Sequence, residues 1–257
     1  MRRPFTGALV TGASSGIGEA FARRLGRAGI PTTIVARRGE RLDDLAAEYP
    51  SLRPLAVDLT TGDGMRAVEE LVASERDIDL VVNNAGFGTS GPFLDADRNR
   101  LEREVLLNVT ALTRISHAAV TAMSLRGRGY VLNVSSIASF QPGPHLAVYA
   151  ATKAYVTSLS TALHEELRGS GVRVCVLCPG LTRTEFQSVS RQSGAPTEYP
   201  EFMWMTADAV ARAGLRAVRN GRAVCTPGAV NKVLVAATDL MPRAVVQRLS
   251  GVMMKMR

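Results

Sequence analysis

Short apolar, β-branched runs alternate with stretches of helical period along nearly the whole chain. The runs Thr6–Thr11, Thr32–Ala36, Pro54–Val57, Asp79–Val82, Gly129–Val134, Val172–Leu177 and Arg222–Thr226 read as strands. Several are apolar almost throughout, as strands covered on both faces must be. Helical stretches start near Gly16, Glu40, Gly64, Asp97, Ala147 and Thr206, the last with a threonine N-cap and Asp208 in its first turn. Strand and helix in strict alternation predict an α/β fold: one doubly wound, seven-stranded parallel sheet with helices on both faces.

Length and charge refine this picture. The 257 residues hold no internal repeat and no dividing linker, so one domain over 1–257 is expected. The alternation fails at about 181–206, where Ser188, Ser190, Ser193, Gly194 and Pro196 precede the apolar Phe202-Met203-Trp204-Met205. A long insertion of that kind is usually functional. The net charge of +8 is uneven: residues 182–257 carry 11 basic and 5 acidic side chains, residues 1–181 carry 20 and 18. No nucleic-acid motif or aromatic platform accompanies the arginines, which argues against nucleic acid.

At the C-terminus, about 242–257, Val245, Leu249, Val252, Met253 and Met256 fall on one helical face flanked by Arg243, Arg248, Lys255 and Arg257. Docking on a partner subunit, capping the domain and peripheral membrane contact all fit such a helix, the structural roles ahead of the membrane. Without a signal-peptide pattern or a membrane-spanning run, a cytoplasmic protein is expected, with membrane association as the variant. Cys175 and Cys178 have CxxC spacing but fall on a strand, where i and i+3 face opposite ways, so neither a redox nor a metal site is expected. His117 and His164 read as helix histidines without ligand spacing.

The first strand runs into Thr11-Gly12-Ala13-Ser14-Ser15-Gly16-Ile17-Gly18 and then a helix. Strand, glycine turn and helix start make a pyrophosphate cradle: Gly12 for the turn, Gly16 for backbone approach, Gly18 for close helix packing. The second strand ends Ala36-Arg37-Arg38 without the acidic residue that would bind a free ribose 2′-hydroxyl. Arginine there suits a 2′-phosphate, which favours NADP over NAD. A solvated basic pair is the other reading of Arg37 and Arg38.

Together with this loop, Asp58, Asn83-Asn84-Ala85-Gly86, Asn108, Ser136, Tyr149-Ala150-Ala151-Thr152-Lys153, Pro179-Gly180 and Thr184 occur in order over roughly Thr6 to Thr226. In that combination the chain resembles the classical short-chain dehydrogenases/reductases, NADP-preferring type. The resemblance implies a Rossmann fold and a catalytic set of Asn108, Ser136, Tyr149 and Lys153. Ser136 is chosen over Ser135 because the family's carbonyl-binding serine lies thirteen residues before its tyrosine. Asn108 would hold a water relaying protons to Lys153. The cofactor would lie against Gly12, Ser14, Ser15, Gly16, Ile17, Gly18, Arg37, Arg38, Asp58, Leu59, Asn84, Ala85, Gly86, Tyr149, Lys153, Pro179, Gly180, Thr182 and Thr184. Within that set Asp58 would meet the adenine amino group, Asn84, Ala85 and Gly86 the adenine ribose and sheet edge, and Thr184 the nicotinamide end. Family members are commonly homodimers or homotetramers, which sets the expected assembly.

The chemistry also follows from the residues. Tyr149 and Lys153 lie four apart in a helical segment, on one face. An adjacent ammonium should lower the tyrosine pKa and make it a usable acid/base. In reduction it would donate a proton to a carbonyl oxygen as hydride arrives from the nicotinamide. His145, Phe186 and Trp204 are the expected substrate contacts, and Phe87, Phe93, Phe140 and Phe186 on loops at the same mouth suggest a hydrophobic substrate. The expected activity is interconversion of a ketone and a secondary alcohol, with 3-oxoacyl and other lipid-like ketones among the substrates. A non-catalytic NADP-sensing or scaffold protein of the same fold is the alternative.

Overall fold

The computed structural model describes residues 5–186 and 200–241, without the side chains of 239 and 240. The proposed C-terminal amphipathic helix and residues 187–199 of the predicted substrate loop lie outside the described residues.

Seven parallel strands form the sheet: β1 (Ala8–Thr11), β2 (Thr32–Ala36), β3 (Leu52–Ala56), β4 (Leu80–Asn83), β5 (Gly129–Val134), β6 (Val172–Leu177) and, after two short strands outside the sheet, β9 (Val224–Cys225). Their order is β3-β2-β1-β4-β5-β6-β9. β1, β2 and β4 are buried at every position, which is why their sequences are continuous apolar runs. β3, at the edge, exposes Arg53 and Pro54, and an edge tolerates proline's missing N–H.

Helices cover both faces. On one side α1 (Gly16–Arg27), α2 (Gly39–Glu48) and α7 (Ala207–Arg219) pack Phe21, Leu25, Leu42, Leu45 and Val210 against Val10, Ile34 and Leu132. On the other, α3 (Gly62–Ser74) and α5 (Leu112–Leu125) pack Met65, Val68, Ile115 and Met123 against Leu9, Val81 and Val131. α6 (Ala147–Glu166) adds Val156 against Leu112 and Val176. α4 (Arg98–Val105) runs without a break into a π-helical turn, Leu106–Ala111, and then into α5. By length and composition this continuous helix passes as a membrane span, yet its buried residues pack on the sheet.

The predicted strands are all present, with ends that differ where local bonds compete. Thr6 and Gly7 stay out of β1 because their N–H groups go to the Asp79 carboxylate. β9 is shorter than Arg222–Thr226 because it pairs only with Val176 and Leu177. The short strands β7 (Thr182–Arg183) and β8 (Met205–Thr206) pair in parallel and close the base of the predicted substrate loop. A last helix, α8 (Ala229–Leu240), has no counterpart in the sequence reading.

Chain order reverses between β1 and β4, so the loops leaving those two strands diverge and open a crevice at the carboxyl edge of the sheet.

Candidate active site

The chain leaves β1 through Gly12 (φ +67°) and Gly16 (φ +61°), a left-handed conformation that favours glycine. A Cβ on Gly18 would lie 2.1 Å from the Gly12 carbonyl oxygen, so α1 comes this close to the turn only with glycine there. Ser15 begins α1 without a side-chain cap, which leaves the first-turn amides to face an anion. The turn is braced from behind. The Thr11 hydroxyl accepts from the backbone N–H groups of Asn84 and Ala85 (both 3.0 Å), and the Asn84 amide donates to the Thr11 and Gly12 carbonyls at 3.0 and 3.3 Å. Asn84, expected beside the adenine ribose, thus spends its side-chain donors on the glycine turn.

Arg38 folds over this turn. It donates to the Ser14 hydroxyl through Nε at 3.2 Å and Nη2 at 3.1 Å, and to the Ser15 hydroxyl at 2.9 Å. Arg41, which the sequence reading missed, joins it: both guanidinium groups pair with Glu185, at 3.2 and 2.8 Å. The i, i+3 spacing from Arg38 across the start of α2 was the available signal. Arg37 points elsewhere, 67% exposed and 3.9 Å from Asp58. Asp58 Oδ1 accepts from the backbone and hydroxyl of Thr60, at 2.9 and 2.8 Å. Leu59 sits in the core, so only its backbone can face a ligand.

On the far wall, the Pro179 carbonyl accepts from Ile137 N–H at 2.9 Å and Thr184 lies against Gly16. Thr182 is buried, its hydroxyl donating to Gly180 O at 3.0 Å. Gly180 presses on buried Asn231, where a Cβ would lie 2.2 Å from Oδ1. Asn231 comes from α8, so the unforeseen helix supports this wall.

Between the walls, Tyr149 and Lys153 project from one face of α6 and are 9% and 5% exposed. Lys153 Nζ donates to the Val134 carbonyl at 2.9 Å and lies 5.7 Å from the Tyr149 ring centre. Ser135 and Ser136 separate as expected at the strand end. The Ser135 hydroxyl is buried, bonded to Lys153 O and paired with the Thr157 hydroxyl, both at 2.8 Å. Ser136 starts a short 3₁₀ turn and its hydroxyl lies beside the phenol. Asn108 is held by the π-helical turn, where such bulges often serve function. It donates to Phe87 O at 2.8 Å and Thr152 Oγ1 at 3.1 Å and accepts from Phe87 N–H at 3.2 Å.

The expected lowering of the tyrosine pKa is overturned. Burial pushes the Tyr149 phenol up to about 12, with the Ser136 hydroxyl pulling the other way. Burial likewise brings the Lys153 ammonium down to about 8. The cost of desolvating either charge exceeds what the neighbouring groups return.

On the substrate side, the Phe186 ring lies 5.4 Å from that of Tyr149. His145 adopts φ +60° and lines a cavity of about 20 Å³ with Thr89, Phe93 and Leu101. Phe93 and Phe202 are exposed and Trp204 is half-buried. Phe140 departs from expectation: it packs against the buried cluster of Leu112, Val156 and Val176 rather than lining the mouth. Cys175 and Cys178 are buried in separate clusters, and His164 Nδ1 is satisfied by Val174 O at 2.7 Å.

A family model described as short chain dehydrogenase matches residues 6–194. The chain belongs to the short-chain dehydrogenases. Among curated relatives, the serine 3-dehydrogenase of Agrobacterium fabrum is 36% identical over 209 residues, covering 79% of this chain and 84% of its own. Among solved structures, a short-chain dehydrogenase from Sphingobium yanoikuyae in complex with NADPH superposes with a TM-score of 0.81 at 33% identity, covering 93% of this chain and 98% of that one. A bulky-bulky ketone specific alcohol dehydrogenase from Comamonas testosteroni gives 0.78 at 29% identity, covering 94% and 97%. This short-chain dehydrogenase is therefore an oxidoreductase acting on CH–OH groups.

Proposed function

We propose that this enzyme interconverts a hydrophobic ketone and its secondary alcohol with NADP(H), using Tyr149 as the acid/base. The observation that carries the reading is the Tyr149–Lys153 pair, buried on one face of α6 beside the Ser136 hydroxyl. The cradle suits the cofactor: first-turn amides of α1 for the pyrophosphate, with Arg38, Arg41 and the Ser14 and Ser15 hydroxyls grouped for a 2′-phosphate. NADPH in the Sphingobium yanoikuyae structure supports the choice of NADP.

When bound, the nicotinamide supplies or accepts hydride at the substrate carbon. The protein's part is proton chemistry. The Ser136 hydroxyl donates to the carbonyl oxygen and orients it, and the neutral Tyr149 phenol gives that oxygen its proton as negative charge develops. Lys153, fixed by Val134 O, sets a positive charge beside the resulting phenolate. Asn108, anchored to Phe87 and Thr152, is the residue for a water that returns the proton. Phe186 against Tyr149, with Phe93, Trp204 and His145 around the mouth, favours an apolar substrate. The Comamonas testosteroni enzyme's bulky ketones point the same way. A homodimer or homotetramer is the assembly we expect.

The test is NADPH absorbance against bulky aryl ketones, 3-oxoacyl thioesters and, in the oxidative direction, serine. The reading expects turnover of an apolar ketone that disappears in Tyr149→Phe while NADPH still binds. Preference for serine would remove the hydrophobic substrate, and NADPH binding without turnover of any member would favour a sensing or scaffold role.

A further inference from the structure

One buried ionisable group next to this site has no place in the chemistry above. Glu104 is 0% exposed, and among the described residues its carboxyl oxygens find no partner in normal hydrogen-bond geometry; only Thr89 lies close enough to favour the carboxylate, through its hydroxyl and backbone N–H. It lies four residues before Asn108, and α4 packs on α6, the helix that carries Tyr149 and Lys153. An isolated carboxylate is among the costliest groups to bury, so a compensating charge is the first thing to look for.

The groups facing it can be named element by element. α4 itself offers Arg100, whose guanidinium also lies 5.0 Å from the Phe87 ring centre and donates to Gly88 O at 3.2 Å. α6 offers Tyr149 and Lys153, and the Cys178 thiol after β6 lies beside those two rather than beside Glu104. The segment after β4 offers Thr89, whose buried hydroxyl and backbone N–H favour the carboxylate without meeting it in normal hydrogen-bond geometry. His145 stands across the small cavity that Thr89 lines. Lys153 and Arg100 are the only cations in that set. Lys153 is the deeper of the two, and its ammonium donates to the neutral Val134 carbonyl.

We infer that Glu104 is the buried counter-ion of the Tyr149–Lys153 pair, a positioning residue whose carboxylate holds the lysine ammonium charged behind the tyrosine. The inference rests on the reading of that pair as the acid/base. Its electrostatics are consistent: burial pushes the Glu104 carboxyl up, while Thr89, Arg100 and Lys153 draw it back down. Glu104 in turn raises the proton affinity of both Lys153 and Tyr149. The carboxylate therefore adds to burial in keeping the phenol protonated and partly offsets burial at the ammonium, at the cost of making phenolate harder to form.

The chain contains only three lysines, Lys153, Lys232 and Lys255, so lysine side chains labelled with ¹³C at Cε give a spectrum that can be assigned with Lys153→Met alone. This readout needs neither substrate nor cofactor, so it stands whatever becomes of the proposed activity. In the wild type the Lys153 signal should titrate near pH 8. Glu104→Gln should move that midpoint down by about 1 pH unit, and Glu104→Asp should keep it close to wild type. Thr89→Val, nearly isosteric, removes the hydroxyl that favours the carboxylate and should shift the midpoint the same way by less; it decides the matter if Glu104→Gln does not fold. A midpoint unchanged or raised in Glu104→Gln, or unchanged in Thr89→Val where that variant must stand in, overturns the inference. A merely structural glutamate would lower thermal stability without moving the titration.

Discussion

At the scale of single residues, charge placement decides more than charge total. Of the two arginines that the sequence offers at the tip of β2, only Arg38 turns onto the glycine loop, while Arg37 leans outward towards Asp58. Arg38→Asp should weaken NADPH binding by roughly 10- to 100-fold, the worth of a charge-assisted phosphate contact, and leave NADH nearly unchanged. Arg41→Ala should act in the same direction by less, and Arg37→Ala should do little. Nicotinamide fluorescence titrations of the three variants check the order, and a dominant Arg37 effect would refute this placement. Tyr149 supplies a second prediction. With its phenol pushed up to about 12, reduction finds its acid protonated throughout the neutral range, whereas oxidation needs a phenolate that is scarce there. Initial rates of oxidation should climb from pH 6 to 8 while those of reduction stay level, and reduction should fall above pH 8 as Lys153 loses its charge. An oxidation profile already flat above pH 6.5 would contradict the burial argument.

At the scale of elements, most of the frame was legible because parallel strands buried on both faces are written as apolar runs. β2, β5 and β6 fall where the pattern puts them, and the glycine turn is where Gly12, Gly16 and Gly18 require. The failures share a cause: interactions between elements far apart in the chain. Asn84 as a brace, Asn231 behind Gly180 and Glu104 beside α6 depend on contacts that no local spacing announces. Gly18 shows how tightly one such contact is held. Gly18→Ala puts a methyl group 2.1 Å from the Gly12 carbonyl, where backbone must move. Cofactor affinity should fall at least as far as in Arg38→Asp, and the melting temperature should drop as well. Thr61→Ala offers a contrast, since its hydroxyl caps α3 at Gly64 N–H and donates to the Asp58 carbonyl without touching the glycine turn. It should cost about 1 kcal/mol in a denaturant titration and lower cofactor affinity far less than Gly18→Ala.

At the scale of the whole molecule, burying an acid/base pair ties stability to the same protons that serve the reaction. Lys153 has an ordinary pKa of 10.5 when the chain is unfolded and about 8 when folded. Between those values the unfolded state binds more protons, so this group adds stability as pH rises through 8 towards 10.5. Tyr149 works oppositely. Its unfolded value of 10.0 and folded value of about 12 mean that the folded state holds the extra proton, so its contribution falls as pH rises above 10. Acid brings a third loss, because Asp208 and Glu185 are held low by Arg24 and by Arg41 with Arg38, and those pairs dissolve as the carboxyls protonate. The denaturation midpoint should therefore peak on the alkaline side of neutrality, between about pH 8 and 10. Lys153→Met, which replaces the buried ammonium by an apolar chain of similar length, should flatten the rise between pH 7 and 10 while leaving the acid limb intact. Urea titrations at a series of pH values read this directly. A variant that keeps the alkaline rise would show that the ammonium is not the charge whose burial the fold opposes.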